Sequence, residues 1–166
     1  MNKIYPLRVT IFCLLVVCVI PLWCQAQTVS GRGHIVHGSE TLFQELHSGQ
    51  FIENNRLRSK NIKVLDTAQA YENVLTDYSR EAAKPVDFSK GKVLLIDMGQ
   101  QLTGGYGVRV SAIEEHLSHV VVKIILTTPS SACMLIQALT HPYQFVYIAS
   151  RKKIVVEEGV SVKDCG

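Results

Sequence analysis

The sequence predicts a mainly β domain of the α+β type, with antiparallel sheets in a sandwich-like arrangement and one short amphipathic helix packed on them. Two patterns carry this expectation. Short apolar or β-branched runs, separated by turn residues, recur from Ile62 to Val156. Only one segment shows helical periodicity. Composition agrees: 47% of the 166 residues are hydrophobic and 19% charged, enough apolar material for one domain core.

Taken in chain order, Thr41–Leu46 reads either as a short helix capped near Ser39 or as an edge strand broken at Ser48-Gly49; the strand is preferred. Ile62, Val64 and Leu65 begin a strand. Asp66 stands where a helix cap belongs, with Gln69 at the capping-box position. Tyr71, Val74, Leu75 and Tyr78 then fall at i, i+3, i+4 and i+7, one apolar stripe on a helix over residues 67–79. Pro85 closes that region by pushing Lys84 to an extended conformation.

Everything after it is β. Val93–Met98 is a buried-type run, and Val108–Ile113 is a strand with Arg109 and Ser111 on one face. Glu115-His116-Leu117-Ser118 makes a short hairpin turn into Val120–Leu126, which is apolar on both faces and suits a central strand. Tyr143–Ile148 is a strand with Tyr143, Phe145 and Tyr147 on one face and Val146 and Ile148 on the other. Ile154–Val156 adds an edge strand. The short connections imply antiparallel pairing, and Val122, Ile124, Phe145 and Val146 are the expected core.

The N-terminus has the layout of a secretory signal peptide. Lys3 and Arg8 precede an unbroken apolar run, Ile11–Ile20, and Cys24-Gln25-Ala26 places small residues before a cut after Ala26. The run is too short for a membrane span, which needs about 20 apolar residues. Bulky Trp23 stands where a lipobox has a small residue. Export is therefore expected, with no membrane attachment after cleavage.

Cleavage leaves Cys133 and Cys165. In an oxidising compartment the two can pair; otherwise Cys133 is a buried small residue and Cys165 is loose at the terminus. Neither has the neighbours of an activated thiolate. His34 and His37 lie between Gly33 and Gly38, and His116 and His119 straddle a turn, where alternation sends residues three apart to opposite faces. Neither pair has a third ligand at a diagnostic spacing, so no metal and no cofactor are expected. Net charge is +3, and the densest basic run is only Arg151-Lys152-Lys153, so nucleic acid is not an expected partner.

Two stretches are distinctive. Asp97 to Tyr106 ends in Thr103-Gly104-Gly105-Tyr106, a Gly pair that permits a sharp reversal beside an aromatic. The second is Ala138-Leu139-Thr140-His141-Pro142-Tyr143, in which Pro142 suits the entrance to a strand. Together with Val86-Asp87-Phe88-Ser89, and in this order, they resemble the PrcB C-terminal domain family over roughly residues 61–150. The resemblance implies a non-enzymatic subunit that associates with or stabilises a secreted bacterial protease. The family's namesake is lipid-anchored at the outer membrane, and the missing lipobox departs from that pattern. The turn is also similar, over a few residues, to a Gly-Tyr loop of the chagasin-like cysteine-protease inhibitors, β-sandwich proteins that wedge loops into a cleft.

The expected organisation is a signal peptide at 1–26, a lead-in segment at 27–60 and a PrcB C-terminal-like domain at 61–166. No catalytic constellation is found: Glu114-Glu115 and Glu157-Glu158 point apart on extended chain, and no serine sits in a nucleophile elbow. The expected function is a protein-binding module for a secreted protease. Thr103, Gly104, Gly105, Tyr106, His141 and Pro142 are its candidate contact residues. The alternatives are a chagasin-like inhibitor and a small structural envelope protein with no protease partner.

Overall fold

The computed structural model describes residues 42–54 and 59–165. The expected signal peptide with its expected cleavage site, and His34 and His37, lie outside the described residues. The fold has three layers. A four-stranded antiparallel sheet runs in the order β1 (Phe43–Gly49), β6 (Tyr143–Ile148), β3 (Lys92–Asp97), β2 (Asn61–Leu65). A three-stranded sheet runs β4 (Gly107–Glu115), β5 (His119–Pro129), β7 (Lys153–Lys163). One helix, α1 (Ala68–Leu75), covers the outer face of the first sheet.

Strands β3 and β6 explain the layering. They pair with each other and are buried on both faces. Leu94, Ile96, Val146 and Ile148 face the second sheet and meet Val120, Val122, Ile124 and Leu126 of β5. Val93, Leu95, Tyr143 and Phe145 face the other way and meet Leu65 with Tyr71, Leu75 and Tyr78 of the helical stripe. The expected core residues Val122, Ile124, Phe145 and Val146 are all buried. Strand β5 is central in its sheet, which is why both of its faces are apolar.

Five local expectations are corrected. The helix is capped by Thr67, whose Oγ1 accepts from the Ala70 N–H at 3.2 Å, and not by Asp66, which pairs with Lys92 at 3.3 Å. The helix also ends at Leu75, short of residue 79. Thr76 bonds back from Oγ1 to the Asn73 carbonyl, a local competitor of helix continuation, and the chain tightens into a turn through Tyr78.

Strand β7 pairs with β5 in parallel, against the antiparallel expectation. Between the two strands the chain crosses to the other sheet, runs back along β6 and returns, so β7 leaves from the end where β5 began. It is also far longer than Ile154–Val156, because an edge strand in water accepts Glu157, Glu158 and Gly159. Finally, His116 and His119 do not diverge. The His116 N–H donates to the His119 carbonyl across the hairpin, and the two rings stack at 4.6 Å. No group of three or more His, Cys, Asp or Glu among the described residues could hold a metal ion.

Cys133 and Cys165 form a disulfide. It fastens the loop after β5 to the end of β7, where the Ser130 N–H also donates to the Lys163 carbonyl at 3.0 Å.

Candidate functional site

The two distinctive stretches are one structure. Asp97, the last residue of β3, lies opposite Tyr143, the first of β6. The chain leaving one strand and the chain entering the other are therefore neighbours, and their pairing continues past the sheet. The Met98 N–H donates to the Pro142 carbonyl at 3.0 Å. Gln101 and Thr140 exchange two backbone bonds at 2.8 and 2.9 Å. Thr140 Oγ1 donates to the Thr103 carbonyl at 2.8 Å, and the Gly104 N–H to the Ile136 carbonyl at 3.1 Å. These contacts join residues 98–104 to residues 136–142 as an irregular extension of the sheet.

The glycines follow from that zipper. A Cβ on Gly104 would stand 2.6 Å from Ile136 Cγ1, closer than any side chain tolerates without movement. Gly105 has φ of 91°, in the left-handed region, and a Cβ there would meet Leu135 and Pro129 as well. Gly99 has φ of 75° and completes a turn in which Asp97 Oδ1 accepts its N–H at 2.7 Å.

Asp97 anchors the base of this structure from inside. Its side chain is fully buried. Oδ2 accepts from the Tyr78 hydroxyl at 2.6 Å, and Oδ1 lies 2.7 Å from His141 Nε2, an ion-pair distance off the hydrogen-bond axis. The His141 N–H donates to the Gln50 carbonyl at 2.7 Å, and its ring stands edge-on to Tyr78. An Asp, a His and a Tyr in contact suggest acid–base chemistry by residue type. All three are buried in the core under the loops, and their bonds tie β3, β6 and the segment after α1 together.

The candidate residues therefore divide. His141 and Pro142 are buried and hold the zipper from below. Gly104 is buried against Ile136, Thr103 and Tyr106 are half-buried, and Gly105 is exposed. The surface around them is made by side chains that sequence reasoning did not single out. Leu102 is 79% exposed, Ile136 65%, Leu139 58%, and Met134 is fully exposed. A signal for them was present: no Asp, Glu, Lys or Arg occurs between Asp97 and Arg109, or between Lys123 and Arg151. Both loops are thus uncharged as well as apolar at their tips.

A depression of about 330 Å³ opens between the sheets, lined by Glu45, Ser48, Arg109 and Gln144 among others. Gln144 is committed to structure there. Its Oε1 accepts from the Val110 N–H of β4 and its Nε2 donates to Glu45 of β1, bridging the two sheets.

Residues 92–149 match the family model described as PrcB C-terminal. That stretch runs from the start of β3 to just past β6, and so contains both zipped loops and the strands that hold them. No curated protein and no solved structure gives a match.

Proposed function

We propose that this chain is an exported, non-enzymatic protein-binding module whose looped end docks on a secreted or envelope protease. One observation carries the reading. The two loops that lie within the family match are locked together by backbone hydrogen bonds, yet they present Leu102, Met134, Ile136 and Leu139 to solvent with no charge among them. A soluble domain rarely leaves such a patch uncovered without a partner, and depletion of charge is typical of interface centres. Rigidity adds to it, since a pre-ordered surface loses little conformational freedom on binding. The family name supports a protease complex as the setting, and the N-terminal segment supports export. The sealed Asp97–His141–Tyr78 cluster supports a structural role for the residues that most resemble catalytic ones.

The test is a paired substitution. Leu102→Asp and Met134→Asp place charge on side chains that are 79% and fully exposed, so each should move stability by no more than about 0.5 kcal/mol. Capture of a protease from envelope extracts should fall by at least about 1–2 kcal/mol in apparent affinity. Undiminished capture of the same protease would overturn the docking surface. Loss of protease activity on adding the purified chain alone would replace the stabilising role with inhibition. Intact mass of the exported form should give a chain starting at Gln27.

A further inference from the structure

Strand β7 offers a second, separate surface. Its inner edge is paired along its whole length with β5, from Lys153 opposite His119 to Lys163 opposite Pro129, with no shift of register. Among the described residues no strand pairs with its outer edge. Residues 157–163 are all exposed, with Val160 at 71% and Val162 at 65%. A straight edge strand of eleven residues without Pro or bulge is a template for another strand.

The direction of its free backbone groups can be read. The Lys163 carbonyl points inward, accepting from the Ser130 N–H beyond the end of β5. Successive residues point their groups to opposite sides. The N–H and C=O groups of Glu158, Val160 and Val162 therefore point outward.

The charge pattern then selects the occupant. We propose that β7 pairs antiparallel with β7 of a second copy of this chain, about a two-fold axis at Val160, joining the two three-stranded sheets into one. That register sets Val160 against Val160, Glu158 against Val162, and Glu157 against Lys163 at both ends. A two-fold pairing allows only registers centred on a residue, and the neighbouring ones are worse. Centring on Glu158 opposes two glutamates and sets Lys153 against Lys163. Centring on Gly159 gives no ion pair, and centring on Ser161 opposes Glu158 to Asp164. Centring on Val155 matches Lys153 to Glu157, but it directs the partner strand past Arg151, where the chain turns away from the sheet, and leaves the exposed valines unpaired. Glu158 stays available to its own ion pair with Lys60.

Sedimentation velocity on the purified exported chain tests this without any protease, so its outcome is independent of the docking reading. The wild type should self-associate to a dimer as concentration rises. Glu157→Lys and Lys163→Glu, each opposing like charges twice, should weaken the dimer roughly tenfold. The double variant Glu157→Lys/Lys163→Glu should restore it. Val160→Pro removes an outward N–H and leaves the bonds toward β5 in place, so it should abolish the dimer with the thermal melt retained. A wild type that stays monomeric at every concentration would overturn the proposal. So would single variants that dimerise as tightly as wild type, or a double variant that fails to recover.

Discussion

Replacing Asp97 with asparagine tests whether the buried carboxylate holds the loops in place. The change keeps the shape of the side chain and removes its charge. Asn Oδ1 can still accept the Gly99 N–H, now made at 2.7 Å. The other oxygen becomes an NH₂ facing the Tyr78 hydroxyl, which at present donates to it at 2.6 Å. The hydroxyl can turn to accept from that NH₂, so a charge-assisted hydrogen bond worth about 1.5–3 kcal/mol is exchanged for a neutral one worth about 0.5–1.5 kcal/mol. His141 Nε2, 2.7 Å from Oδ1, then faces a neutral amide oxygen in place of a carboxylate. The expected total is about 1.5–3 kcal/mol, since the bonds from Tyr78 and Gly99 both lose their charge assistance in a buried site. Urea unfolding followed by circular dichroism should show the midpoint falling with the slope unchanged. Amide exchange should localise the effect: Gly99, Gln101 and Gly104 should lose protection more than Val122 and Ile124, which belong to β5. A loss under about 1 kcal/mol would refute the anchoring role. A full loss with protection falling evenly across the fold would make Asp97 an ordinary core residue with no special hold on the loops.

Two further outcomes follow. Phe145→Ala empties a wholly buried site flanked by Tyr71, Tyr78 and Tyr143, with ring centroids 5.4 to 6.0 Å away; it should cost about 3–5 kcal/mol in chemical denaturation. The second concerns alkali. Burial raises the Tyr71 hydroxyl above its ordinary value, with the Lys84 backbone opposing this only in part. Burial likewise raises Tyr143, against a hydrogen bond to Ser79 and with Glu81 and Glu53 adding to the rise. A raised folded pKa means the native state keeps protons that the unfolded chain releases. The associated stability is therefore complete below about pH 10 and is lost as pH climbs from there toward the folded values. Ultraviolet titration should show two phenols ionising only as the circular dichroism signal collapses; a full titration near pH 10 with the fold intact would refute it.

How far the sequence speaks depends on which neighbours a residue answers to. The apolar faces of β3, β5 and β6 were legible because burial on two sides leaves little choice of side chain. Tyr71, Leu75 and Tyr78 were legible because a helix lying on a sheet must repeat its stripe. The cap was misplaced by one residue because Asp66 and Thr67 are both good caps, and a long-range ion pair with Lys92 took Asp66 away. The direction of β7 was illegible because it depends on β6 crossing to the other sheet, which no local pattern in residues 130–163 records. The loop motif was visible as glycines and threonine, but its exposed partners were not. Leu102, Ile136 and Leu139 look like core residues in a sequence, and only the absence of nearby charge distinguishes them.

The register between β3 and β6 accounts for why the motif has this composition. Opposition of Asp97 and Tyr143 brings the two loops together at the end of the central strands. Close backbone approach there requires Gly104, and the reversal that follows requires Gly105. Thr140 supplies both a backbone bridge and a side-chain bond to Thr103, so a small polar residue suits that position where a large apolar one would fill the space without bonding. On the proposed docking reading, specificity resides in the exposed residues, which the ladder positions but does not constrain. Two classes of variant should separate on this basis. Thr140→Val, nearly isosteric, leaves the Thr103 carbonyl without its side-chain donor and should lower both stability and partner capture by about 0.5–1.5 kcal/mol, the worth of one hydrogen bond. Leu139→Ser, on a side chain 58% exposed, should leave the melt nearly unchanged and lower capture alone. If Leu139→Ser destabilises the fold while capture follows only the folded fraction, the apolar tip belongs to the core and the docking surface lies elsewhere.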